Sequence, residues 1–80
     1  MKIFIFSKKS FIKYNNIKIL KIFYKKQSFE IMNNYIPTIG NIDFIFFYFK
    51  NKFFKIKLKK SFFIHKNIEL RIICDNYEFL

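Results

Sequence analysis

Eighty residues allow one domain, spanning 1–80, and a chain this short buries only about 60% of the surface its unfolded form exposes, so its core must be dense or shared with a partner. Sixteen basic side chains against five acids give a net charge of +11, while a single glycine and a single cysteine exclude a glycine-rich phosphate loop and an internal disulfide. Phe, Ile, Lys, Asn and Tyr fill 58 of the 80 positions, and Ala, Val and Trp are absent. These five residues are the ones with A- and T-rich codons, which points to the nucleotide bias of a reduced genome. The lysine excess therefore has two readings: a solvated surface written by that bias, or a dedicated anion-binding face.

The apolar start of the chain, residues 3–6, is ended by Ser7-Lys8-Lys9, far short of a signal-peptide core or a membrane span. Residues 17–23 mix Ile, Leu, Phe and Lys with β-branched and aromatic side chains dominant, and read as a strand. A short apolar strand follows at 29–32. The Asn33-Asn34 corner tolerates left-handed backbone, and Tyr35-Ile36-Pro37 reads as a rigid loop, because proline fixes its own φ and extends the residue before it. Residues 3–6, 29–32 and 44–49 are apolar enough for strands buried on both faces. Strict alternation appears twice. Phe54, Ile56 and Leu58 interleave with Lys55, Lys57 and Lys59, and Ile68, Leu70 and Ile72 interleave with Glu69 and Arg71. Each pattern predicts a strand with one buried and one wet face.

Between these runs lie short Asn, Ser and Lys corners, among them Tyr14-Asn15-Asn16, Lys50-Asn51-Lys52, Lys59-Lys60-Ser61 and Lys66-Asn67. Short strands at about ten-residue spacing with polar turns predict an all-β sandwich or barrel. Catalytic constellations are missing. His65 is the only histidine and reads as a surface or packed residue, and the five acids show no paired spacing. Ser7, Ser10, Ser28 and Ser61 have no base but that histidine. No enzyme activity, cofactor or metal is expected, and the single cysteine, Cys74, fits a reducing compartment.

The line Gln27-Ser28-Phe29-Glu30-Ile31-Met32-Asn33-Asn34-Tyr35-Ile36-Pro37, followed by apolar Ile39 and Ile42, resembles the epsilon subunit of F-type ATP synthases. That family carries there a glycine, a small or acidic residue, an apolar Ile-Leu pair, two turn residues, a histidine and a proline. The register continues upstream without a gap to Phe6-Ser7. Downstream, Leu58-Lys59-Lys60-Ser61-Phe62-Phe63 looks like the family's strand and Gly-Gly corner and Leu70-Arg71-Ile72-Ile73-Cys74-Asp75 like its last strand, the tight register covering 7–42. Departures are Lys8 for a proline, Gln27 and Lys60 for glycines, and Tyr35 for the histidine. A lysine or glutamine at positive φ would strain the turns that those glycines serve.

The resemblance implies a small sandwich of two packed, mostly antiparallel sheets. The family's C-terminal helical hairpin, associated with inhibition of rotation, has no counterpart in these residues, so that role is not expected. What it implies instead is a non-catalytic central-stalk subunit of a proton-translocating synthase, coupling the c-ring to the gamma subunit. The protein would then sit peripherally on the cytoplasmic face of the inner membrane, or the organelle equivalent, with lysines aiding an indirect membrane contact. Ser7 and Ser28 fall at positions facing the c-ring, and Tyr35 and Pro37 at the loop near gamma. Nucleic acid has no place in that reading. The alternative is a small basic RNA-binding protein of ribosomal or cold-shock-like type, whose footprint would be lysines and aromatics interleaved on one sheet face.

Overall fold

The alternation of apolar and basic residues that marks 54–59 continues, in the computed structural model of the chain, into one of two very long strands. The structure describes the backbone of residues 1–31 and 35–80, and all of their side chains except those of residues 19, 29–31 and 35–36. Eight strands appear among the described residues: β1 (Lys2–Phe6), β2 (Phe11–Tyr14), β3 (Lys18–Tyr24), β4 (Gln27–Ile31), β5 (Tyr35–Phe49), β6 (Lys52–Asn67), β7 (Glu69–Ile73) and β8 (Asn76–Phe79). The all-β class is as expected. Hydrogen bonding nevertheless joins the strands into one sheet rather than two, in the order β2-β1-β7-β6-β5-β3-β4, with β8 also on β6. Every pair is antiparallel except β1 with β7.

Two layers arise because this sheet folds over along β5 and β6. The first part of β5 pairs with the last part of β6, which pairs with β7 and, through it, β1 and β2. The second part of β5 pairs with the first part of β6 and with β3, while β8 joins β6 at 56–59. At the junction the register jumps from Ile42↔Ser61 to Phe44↔Lys57, a bulge that places extra residues on β6. Such a bulge bends a strand and sharpens its twist. It also changes which residues point inward: Ile56 and Leu58 are buried before it, Phe63 and His65 after it. β5 makes the matching change, with Ile42 buried on one side of the bend and Ile45 and Phe47 on the other.

The core lies between the layers. Ile3, Ile5, Leu70 and Ile72 come from one, and Leu20, Ile22, Ile45, Phe47 and Ile56 from the other. Tyr14 of β2 reaches across, its ring centroid 5.1 Å from that of Phe47 and 5.0 Å from that of Phe49. The radius of gyration, 11.3 Å, is close to the roughly 11.6 Å expected of a folded chain of this length.

With one glycine in the chain, other residues adopt the left-handed backbone. The β5–β6 hairpin turns on Lys50 (φ 52°) and Asn51 (φ 63°), the positive pair that a type I′ turn requires. Lys25 (φ 56°) begins the β3–β4 turn, and Lys60 (φ 49°) sits inside the bulge. Lysine in this region costs about 1–2 kcal/mol, whereas glycine costs only its greater unfolded-state freedom of about 0.5–1 kcal/mol. Lys50→Gly and Lys60→Gly should therefore each stabilise the fold by about 0.5–1 kcal/mol in urea denaturation, and Lys60→Ala should not. Equal midpoints for Lys60→Gly and Lys60→Ala would refute the strained turn.

Candidate docking surfaces

Ser7 closes the β1–β2 turn. Its N–H donates to Ser10 O at 2.9 Å, and its Oγ donates to Ser10 O and accepts from the Ser10 N–H, both at 3.1 Å. Ser10 Oγ lies 2.7 Å from Tyr77 Oη, tying the turn to β8. Ser28 is exposed on β4, paired with Phe23. The two serines stand on different hairpins, at the ends of a run of contacts. Asp43 Oδ2 accepts from the Lys25 N–H at 2.7 Å and fixes the β3–β4 turn to the bend. Across the bend, the Asp75 N–H donates to Lys59 O at 3.0 Å, and Asp75 lies 3.9 Å from Lys8 Nζ. Exposed Lys8, Lys9, Lys25, Lys26, Lys59 and Lys60 line this run, which makes it strongly basic.

Tyr35 opens β5 opposite Asn67, and its side chain lies outside the described ones, as does the Asn33-Asn34 corner. Pro37 is exposed within β5, so the rigid loop expected over Tyr35-Ile36-Pro37 is strand instead. The physical reason is a bulge. Tyr35 pairs with Asn67 and Thr38 with His65, so Ile36 and Pro37 together oppose Lys66. A residue without an N–H is tolerated in a strand at such a place. Beyond it Ile39 is 74% exposed. Outward from here the layer carries Phe62, Ile73, Phe6 and Phe11 in one cross-strand row, all of them exposed. Phe4, Phe6 and Phe11 stack at centroid distances of 4.9–6.4 Å, with Lys13 and Arg71 over Phe4.

The other layer presents a different surface. Residues 44–49, expected to be buried on both faces, bury only Ile45 and Phe47 fully, and Phe44, Phe46 and Tyr48 point outward. Pairing sets them in three cross-strand rows: Phe23–Phe44–Lys57, Lys21–Phe46–Lys55 and Lys18–Tyr48–Phe53. Lys55 Nζ lies 5.4 Å from the Phe44 ring centre and 5.0 Å from that of Phe46. The third row borders a groove of about 720 Å³ lined by Lys13, Asn15, Asn16, Lys18, Tyr48, Phe49, Lys50 and Asn51. A signal for this face was present in the sequence. A two-residue Lys50-Asn51 turn places Phe46 opposite Lys55 and Tyr48 opposite Phe53.

The titratable interior groups are held by packing. His65 is fully buried, which lowers its pKa from the ordinary histidine value, with a partial offset from the Asn67 backbone. Burial, and then Asp75, raise the pKa of the Cys74 thiol, whose Sγ lies 3.5 Å from Phe6 O. A protonated, enclosed thiol is a poor nucleophile. No helix among the described residues is long and apolar enough to cross a membrane. Neither protein-family models nor curated proteins match this chain.

Proposed function

We propose that this chain is a non-catalytic rotor subunit of a proton-translocating F-type ATP synthase, the counterpart of the epsilon β-sandwich, and couples the c-ring to the gamma subunit at the membrane surface. The observation that carries this reading is Lys60. Its φ of 49° is a conformation that glycine adopts freely, and the resemblance sets Lys59-Lys60 against the family's Gly-Gly corner. A mid-strand lysine in left-handed backbone is rare by chance. It has a simple origin as a lost glycine whose bulge the fold still needs.

The surfaces suit the assignment. The basic run from Ser7 to Ser28 faces the c-ring in this reading, where its lysines meet acidic loops or anionic headgroups, a contact weakened by salt. Pro37, the neighbouring Ile39 and the apolar row from Phe62 to Phe11 form the gamma side. Exposed apolar area of this kind marks protein interfaces. Docking there requires a rigid surface rather than chemistry, since torque is lost if the contact deforms.

The test is retention of the chain by gamma and c-ring at moderate salt. Wild type is expected to be retained by gamma in salt that removes nonspecific electrostatic binding. Pro37→Ala and Tyr35→Ala should each weaken retention several-fold with the β-rich spectrum intact, since anchor truncations at interfaces commonly exceed about 1 kcal/mol. Unchanged retention of both variants would remove the proposed gamma contact, and no retention of wild type would remove the assignment.

A further inference from the structure

We infer that the outward face of β3, β5 and β6, together with the groove beside it, binds single-stranded nucleic acid. Three rows of this face hold five aromatic rings and four lysines, bordered in register by Ser28 and Glu30 on β4 and by Glu78 on β8. Rows lie two residues apart along β5 and β6, about 6.8 Å, with a register shift between Lys18 and Lys21 on β3, and strands lie about 4.8 Å apart. Tyr48, 39% exposed, and Phe53, 52% exposed, stand side by side with ring centroids 5.0 Å apart. Phe46 meets Phe53 edge-on at 5.6 Å, which holds the Phe53 ring in place. These rings offer π-faces to unpaired bases, and the stacking is tolerant of sequence because every base has such a face.

The groove supplies what an aromatic platform alone lacks. Lys13, Lys18 and Lys50 line it beside Tyr48, so a strand whose bases rest on Tyr48 and Phe53 runs its phosphates between three cations. Asn15, Asn16 and Asn51 add amide donors and acceptors that can meet base edges or sugar hydroxyls. Within the three rows no carboxylate occurs; the acids in register stand at the two edges, Glu30 on β4 opposite Lys21 and Glu78 on β8 opposite Lys57.

Two features favour nucleic acid over an anionic bilayer. The rings lie in a sheet face rather than projecting from loop tips, so they cannot reach into acyl chains. The lysines of β3 and β6 also flank a central column of rings, Phe44, Phe46 and Tyr48 on β5, which suits a ligand whose phosphates run beside its stacked bases. A duplex hides its base faces and is excluded by the same geometry. This inference does not rest on the rotor assignment, and the gamma retention experiment reads that assignment separately.

The experiment is fluorescence anisotropy with a labelled 12-nucleotide oligouridine, a duplex of equal length, and vesicles of phosphatidylcholine with phosphatidylserine. Oligouridine should bind more tightly than the duplex, with a log–log salt slope of about −2 to −3 for three or four neutralised phosphates. Tyr48→Ala and Phe53→Ala should each lower affinity about tenfold, with Tyr48→Phe restoring it. Lys18→Gln and Lys50→Gln should each flatten the salt slope by about 0.7. Phe11→Ala, on the opposite layer, should change nothing. The proposal is overturned if duplex and single strand bind alike, if the two aromatic variants bind as wild type, or if vesicles retain the protein and oligouridine does not.

Discussion

Replacing Gly40 with valine is expected to destabilise the protein by about 1–3 kcal/mol, the range for forcing extra atoms into a filled core. The cause is local. Gly40 pairs directly with Phe63, and a Cβ built on it would lie 2.8 Å from Phe63 Cε1 and 3.0 Å from Cζ. Phe63 is buried, so its ring has little room to turn away. The single glycine of the chain thus serves no turn. It makes space for an aromatic ring lying across the strand. In a domain of this size the loss corresponds to roughly 4–8 °C in Tm per kcal/mol. Gly40→Ala should cost less, because alanine restricts the unfolded chain and so offsets part of the clash. The decisive measurement is a double-mutant cycle with Phe63→Leu, which lacks both clashing atoms. Gly40→Ala should be harmful beside Phe63 and neutral or favourable beside Leu. Additive effects would mean that the ring does not press on this position.

The same glycine shows why the first part of β5 was hard to read. Pro37 and Gly40 punctuate 36–42, and the sequence predicts a loop over Tyr35-Ile36-Pro37 where the chain in fact opens its longest hairpin. Proline is accommodated there by a bulge and glycine by Phe63, and neither partner is visible without the pairing. The corner expected at Lys59-Lys60-Ser61 misleads in the same way. It is real as a change of direction, and its left-handed lysine was anticipated as strain, yet the strand continues through it. A bulge interrupts the period of two, so one strand of 16 residues reads as two. Alternation survives at 54–58 and, within β7, at 70–72, and those strands are legible; Ile68, expected on the buried side, is exposed in the turn before β7. β2 and β8, four residues each, were too short to show a period between their Ser and Asn flanks.

The candidate site was legible in part. Ser7 and Pro37 fall at a turn and a bulge, places where backbone geometry is special, and local residue chemistry announces such places. Composition concealed the faces. When Phe and Ile fill both inward and outward positions, hydropathy no longer separates core from surface. Only the register decides that Phe47 is enclosed while Tyr48 is displayed. Cross-strand pairing, with Phe46 set against Lys55 and Tyr48 against Phe53, turns an apolar run into a mixed surface.

Acidification should unfold this protein earlier than its few carboxylates would. His65 is sealed between the layers, opposite Thr38 on β5 and Leu70 on β7, and burial disfavours its charged form. Its folded pKa therefore lies below the unfolded value of about 6.5. With a depressed histidine pKa, the unfolded chain binds the proton first. Stability from this group is complete above about pH 6.5, falls as the pH drops from there towards the folded pKa, and does not fall further below it. Thermal melts should accordingly show Tm declining between pH 7 and pH 5, above the range where most carboxylates titrate. His65→Leu keeps an apolar side chain of similar size at the site and should flatten that decline, whatever it does to Tm at pH 7. If wild type and His65→Leu lose Tm in parallel over this window, another group drives the acid sensitivity, and the buried imidazole is carried through the transition without cost.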